Sequence, residues 1–131
     1  MCGIIGIQNN SEAATLAYMG LYAQQHRGQE GAGVVSSDGS VLHRHMGQGL
    51  VSDVFSNSAV FDSLIGDSAI GHVRYSTTGN SDPKNVGPLT FNMGDYNLSI
   101  AHNGNLVNLD VIRKELKENG ALFQTSTDTE I

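Results

Sequence analysis

Apolar residues in this chain fall in short runs cut by glycine and small polar residues, a pattern of several strands and few helices. Residues 2–7 carry Ile4, Ile5 and Ile7 with too little alternation for an edge strand, which predicts a short buried one. A helix follows from Ser11 as cap to about Gln25, with Leu16, Met19, Ala23 and neighbouring Ala17 and Gly20 on or near its buried stripe. Residues 25–33 are too rich in glycine for a helix and too polar for a core strand, and they lead into Val34-Val35. Asp38-Gly39 then predicts a hairpin turn before a strand at 41–45.

Residues 51–65 are weakly helical, with Asn57-Ser58 breaking the register. Residues 68–75 read as a buried strand through Ala69, Ile70 and Val73. Between 76 and 88 the composition shifts to Thr, Gly, Asn, Asp and Pro, predicting a long mobile surface loop of the kind that covers sites. Paired strands are expected at 89–93 and 97–101, around Gly94-Asp95. A helix from Asn108 to about Asn119 presents Leu109, Ile112 and Leu116 on one face and stops at Gly120. Residues 125–131 resemble the opening of another helix, so the chain is read as a fragment of something longer.

Length, 131 residues, suits one domain. Seven basic residues against thirteen acidic ones give a net charge of −6, and the basic residues form no patch. That balance argues against nucleic acid as a partner. The single cysteine excludes an internal disulfide and a cysteine-rich cluster within the segment. No apolar run approaches the roughly 18 residues of a membrane span, and no charged signal region precedes Arg27, which makes a cytoplasmic location the expectation.

The lone cysteine, Cys2, stands directly after Met1. With Met1 removed, one residue carries both a thiol and an α-amine, whose reference pKa of roughly 7.7–8 suits a general base. Its alternative is a small buried hydrophobe beside three isoleucines. Asn103-Gly104, following an apolar strand, can offer an amide donor and a backbone N–H to one oxyanion, or can simply form a tight turn. Arg74 can hold a carboxylate bidentately or sit in a structural ion pair. Asp128 is a helix cap or an acceptor for a cationic group. His26, His72 and His102 fit no zinc spacing and read as structural, while His43 and His45 suggest a solvated strand face.

Together, five stretches carry a resemblance: Cys2-Gly3-Ile4-Ile5-Gly6-Ile7, Gln25-His26-Arg27-Gly28-Gln29-Glu30-Gly31-Ala32-Gly33, Gly71-His72-Val73-Arg74-Tyr75-Ser76-Thr77, Ala101-His102-Asn103-Gly104-Asn105-Leu106-Val107 and Thr125-Ser126-Thr127-Asp128-Thr129-Glu130. They resemble the class II glutamine amidotransferases, and in particular the glutaminase domain of the amidophosphoribosyltransferase family. The resemblance implies an α/β (α+β) chain with the four-layer α/β/β/α N-terminal nucleophile hydrolase fold, here truncated. Residues 1–131 would be the N-terminal portion of that domain, with its remainder and a phosphoribosyltransferase domain absent.

It also implies roles. Cys2 would attack the carboxamide of glutamine, and Asn103 with the Gly104 N–H would form the oxyanion hole. Arg74 would hold the α-carboxylate and Asp128 the α-amine, with Tyr75, Ser76 and Thr77 in a lid running to about Pro88. Ammonia would pass to 5-phosphoribosyl 1-diphosphate, the first committed step of purine synthesis. No metal or cofactor is expected in this segment, Mg2+ is expected with the missing domain, and a homo-oligomer is expected of the full-length protein. The isolated fragment is expected to be poorly active. Competing readings are another amidohydrolase of the same fold and a non-catalytic regulatory domain.

Overall fold

The apolar runs become six strands and three helices in a computed structural model, which describes residues 1–76 and 82–131. Strands β1 (Gly3–Ile7), β2 (Gly31–Ser37), β3 (Leu42–Gln48) and β4 (Ser68–Arg74) form an antiparallel sheet in the order β1-β4-β2-β3. Strands β5 (Leu89–Asn92) and β6 (Asn97–Ile100) pair separately. Helix α1 (Ala13–Ala23) follows β1, the single turn α2 (Val51–Val54) follows β3, and α3 (Leu109–Glu118) lies beyond β6.

Alternation along the strands gives the larger sheet two unlike faces. One face presents Ile5, Ile7, Ala32, Val34, Ala69 and Val73 to α1 and α2, where Ala13, Ala17, Leu21, Val51, Phe55 and Leu64 complete the core. Tyr18, Phe55 and Phe61 add a ring cluster with centroids 5.4 to 5.8 Å apart. On the opposite face the chain from Asn85 to Leu89 lies buried against the sheet. A Cβ on Gly33 would collide with the Gly87 carbonyl oxygen and come within 2.8 Å of the Met46 Cβ, so only glycine lets these backbones meet. Arg44 Nη1 donates to Thr90 Oγ1 at 2.9 Å, linking β3 to β5.

Helix α3 buries no residue; Leu109, Ile112 and Leu116 share a half-buried face, and Gly120, with φ of 90°, ends the helix as expected. The mixed α/β class and the β2–β3 and β5–β6 pairings are those the pattern predicts.

Several local expectations fail. Among the described residues β1 lies at an edge of the sheet with alternating burial, and Ile4 on its second face is 45% exposed. Helix α1 buries Ala13, Ala14, Ala17 and Leu21, whereas Met19 is exposed; small residues bring the helix close to the sheet, and side-chain size misreads the stripe. Ser11 does not cap it: Glu12 holds that position, and Asn10 Oδ1 accepts from Glu12 N at 2.8 Å. β2 already begins at Gly31, in the stretch read as too polar for a core strand. Residues 85–88 are buried rather than a surface loop. The terminal segment, read as a helix opening, is a 3-10 turn (Asp128–Glu130) where the sequence ends, which does not test that reading. His45 is not merely solvated, since its Nε2 meets the Val54 carbonyl at 2.8 Å and its ring packs on Phe55.

Candidate active site

Strand register brings the candidate residues together. In the antiparallel β1–β4 pair Gly3 stands opposite Val73, so Cys2, one residue earlier, meets Arg74 and Tyr75 at the end of β4. The Tyr75 N–H donates to Cys2 Sγ at 3.4 Å, and the thiol reaches the Tyr75 carbonyl at 3.6 Å. Arg27 Nε donates to the Cys2 carbonyl at 3.0 Å, fixing the backbone that carries the sulfur. Met1 is 69% exposed, which leaves the Met1–Cys2 peptide bond accessible.

A cleft opens beside the sulfur, lined by Cys2, His72, Arg74, Tyr75, Ser76 and by residues 100–102, 104–105 and 126–129. Arg74 and Asp128 both line it, placing a guanidinium and a carboxylate in one concavity. Arg74 is largely buried; its Nη1 donates to the Asn85 carbonyl at 3.1 Å, and its Nε lies 3.7 Å from Glu30 Oε2, beyond hydrogen-bond reach. Arg74 is therefore an ion-paired residue that also lines the cleft. Asp128 Oδ2 accepts from the Leu106 N–H at 3.0 Å, and Oδ1 lies 3.5 Å from His102 Nδ1.

The turn bearing Asp128 is held from outside. Arg113 of α3 donates to the carbonyls of Thr125 at 3.0 Å and Thr127 at 2.6 Å. Glu130 accepts from the N–H groups of Gln124 and Thr125, each at 2.7 Å, and from the Thr125 hydroxyl. Burial pushes the Glu130 carboxyl up in pKa, but these hydrogen bonds outweigh it and leave a net lowering.

Gly104 lines the cleft, where a Cβ would meet the His102 ring and displace it. Asn103 is exposed and is not among the residues that line the cleft. Tyr75 and Ser76 stand at the rim; Thr77 lies outside the described residues. His72 and His102 come together in the cleft, while His26 is exposed on a 3-10 turn (Gln25–Arg27). No group of three or more His, Cys, Asp or Glu that could hold a metal exists among the described residues.

Sequence reasoning missed four supporting side chains. Arg27 carries the contact to Cys2. Gln25 joins turns, its Oε1 accepting from Val51 N at 2.7 Å and its Nε2 donating to Gly28 O at 2.5 Å. Glu30 Oε1 accepts from the Ser76 N–H at 2.9 Å and hydroxyl at 2.7 Å, tying the chain after β4 to the start of β2. Asn85 pairs twice with Ser126, donating to its hydroxyl at 2.8 Å and accepting from its N–H at 3.0 Å. The position of Arg27, Gln25 and Glu30 within one polar stretch between a helix and a buried strand was the available signal.

His72 is the cleft's least ordinary group. It is 6% exposed, and neither ring nitrogen has a hydrogen-bond partner among the described residues. Burial, reinforced by the Arg74 and His102 charges, lowers its pKa to about 4. The backbones of His102 and Gly87 pull the other way without reaching hydrogen-bond geometry. The imidazole is neutral at physiological pH.

Residues 57–131 match the model of the glutamine amidotransferase domain. The chain is 54% identical over 131 residues to amidophosphoribosyltransferase 2, chloroplastic, of Arabidopsis thaliana, covering 99% of this chain and 23% of that protein. It is 46% identical to the amidophosphoribosyltransferase of Lacticaseibacillus casei, covering 99% of this chain and 67% of that sequence. A solved structure described as the allosteric regulatory enzyme of purine biosynthesis superposes with a TM-score of 0.91 at 46% identity, over 99% of this chain and 28% of that one. The chain thus spans about a quarter of the length of most relatives it matches. With half the sequence under the domain model and near-complete alignment to named relatives, the chain belongs to the glutamine amidotransferase domain family, in its amidophosphoribosyltransferase group.

Proposed function

We propose that this chain carries the glutamine-hydrolysing half of an amidophosphoribosyltransferase, as the N-terminal portion of its amidotransferase domain. The observation that carries the reading is one cleft holding a thiol, a guanidinium and a carboxylate, at Cys2, Arg74 and Asp128. A free amino acid has a carboxylate and an ammonium to match the two charges, and glutamine adds a carboxamide for the thiol. A single opposed pair of charges orients the substrate, which converts a bimolecular attack into an intramolecular one.

Cleavage after Met1 frees the α-amine of Cys2. That amine takes the thiol proton, and Sγ attacks the carboxamide carbon. Gly104 N–H, with the Asn103 amide turned inward, stabilises the developing oxyanion. Collapse to the thioester expels ammonia, protonated by the α-ammonium, and water then releases glutamate. Ammonia goes on to displace pyrophosphate from 5-phosphoribosyl 1-diphosphate, giving 5-phosphoribosylamine. That second reaction, its Mg2+ and the assembly of full-length subunits belong to chain outside residues 1–131.

The cytoplasm is the compartment proposed, although the Arabidopsis relative is named chloroplastic; fractionation of the native protein separates the two. No helix among the described residues is long and apolar enough to cross a membrane. The test of function uses the full-length protein. Cys2→Ala, Cys2→Ser and an uncleavable N-terminal extension each abolish glutamine-dependent product, while ammonia-dependent transfer persists. Retained glutamine turnover in Cys2→Ala sinks the proposal.

A further inference from the structure

Among the described polar side chains of the cleft, His72 alone is deeply buried and unpaired at both hydrogen-bonding atoms. Burying such groups without partners costs free energy, so their retention calls for a partner that arrives with the ligand. His72 precedes Arg74 by two residues on β4, so both side chains leave the same face of the strand and line the same cleft. Arg74 spends Nη1 on the Asn85 carbonyl and turns Nε toward Glu30, which leaves its Nη2 without a partner among the described residues. A carboxylate offers two oxygens with about four acceptor sites, more than that one free nitrogen can fill.

We propose that His72 is a second recognition residue for the amino-acid substrate, donating one ring N–H to the α-carboxylate held by Arg74. This rests on the glutamine-hydrolysing reading of the cleft. A neutral donor suits the place, because a second full cation beside Arg74 in a buried pocket is disfavoured. Gly87 makes room for the ring: a Cβ there would sit 3.0 Å from His72 Nδ1. His72 therefore discriminates for the carboxylate without adding charge, and it acts on binding more than on bond-breaking.

The test pairs ring spectroscopy with steady-state kinetics on the full-length protein. In protein labelled with 15N-histidine, saturation with L-glutamate, the reaction product, shifts one His72 ring nitrogen towards a hydrogen-bonded donor. His72→Leu raises the glutamine KM about tenfold or more, the loss expected for a hydrogen bond to a charged group, and lowers kcat much less. His72→Asn, which keeps a donor, recovers part of that loss. The preference of the wild type for glutamine over its carboxyl-amidated analogue falls in His72→Leu by a similar factor. Glutamate binding that leaves both His72 nitrogens unshifted, or an unchanged KM in a folded His72→Leu protein, overturns the inference and leaves a ring that is packed or hydrated only. Wild-type protein that binds no glutamate and turns over no glutamine overturns the parent reading and this inference together.

Discussion

The two faces of the four-stranded sheet obey different rules. Towards α1 and α2, Ala17, Leu21, Val34, Val51 and Val73 are fully buried and apolar, and the face closes on itself. Towards the 85–89 segment the sheet offers Gly31, Gly33, His72 and Arg74, with buried polar atoms that lack hydrogen bonds. The first face supplies the stability from which the second can spend some. Unpaired buried groups are destabilising in themselves and persist where a ligand or a reaction uses them.

The contrast breaks most visibly in the core. Leu21→Ala should cost about 2–5 kcal/mol of unfolding free energy by chemical denaturation, with the glutamine KM of the surviving folded protein little changed. A large KM effect would show that the two faces are coupled.

His72 gives the next largest effect, and its sign follows from linkage. Its folded pKa, about 4, lies below the unfolded value of 6.5, so the unfolded chain binds the proton more readily. Its contribution is fully present above pH 6.5 and is lost as pH falls towards 4, by a total on the order of 3 kcal/mol. Urea midpoints of wild type and His72→Leu should differ in slope across that window and run parallel above it. Parallel curves throughout would mean that the imidazole is not held neutral.

Arg74→Ala should weaken glutamine recognition by about 2 kcal/mol, read as a rise in KM with ammonia-dependent transfer retained. An unchanged KM would assign Arg74 to its contacts with Glu30 and Asn85 alone. The smallest effect belongs to the link between the sheets. Thr90→Val removes the acceptor for Arg44 at an exposed site and should shift stability by about 0.5 kcal/mol. A much greater loss would make β5–β6 part of the core unit.

How much of this was legible follows the same division. Turn chemistry gave the β2–β3 hairpin at Asp38-Gly39, because Asp38 Oδ1 accepts from the N–H groups of Ser40 and Val41. The end of α3 at Gly120 was equally plain. Cys2, Arg74, Gly104 and Asp128 were singled out from residue type and position, and they share one cleft. The buried stripe of α1 was misread because alanines at 13, 14 and 17 carry little hydrophobic signal yet allow the closest packing. Residues 82–88 look like a loop by composition, yet Asn85 is buried, its side chain paired with the distant Ser126 and its carbonyl accepting from Arg74. Local pattern records which residues prefer an interior; it does not record which distant backbone a polar side chain will satisfy.

The central claim is that Cys2 is the nucleophile of a glutamine site, and covalent labelling tests it most directly. Full-length protein, first checked by intact mass for loss of Met1, is treated with a glutamine analogue bearing an electrophilic side chain, then digested and sequenced by mass spectrometry. The account predicts one equivalent of label on the N-terminal peptide at Cys2, and protection by excess glutamine. Label on any other residue, or none on a protein that hydrolyses glutamine, would contradict it.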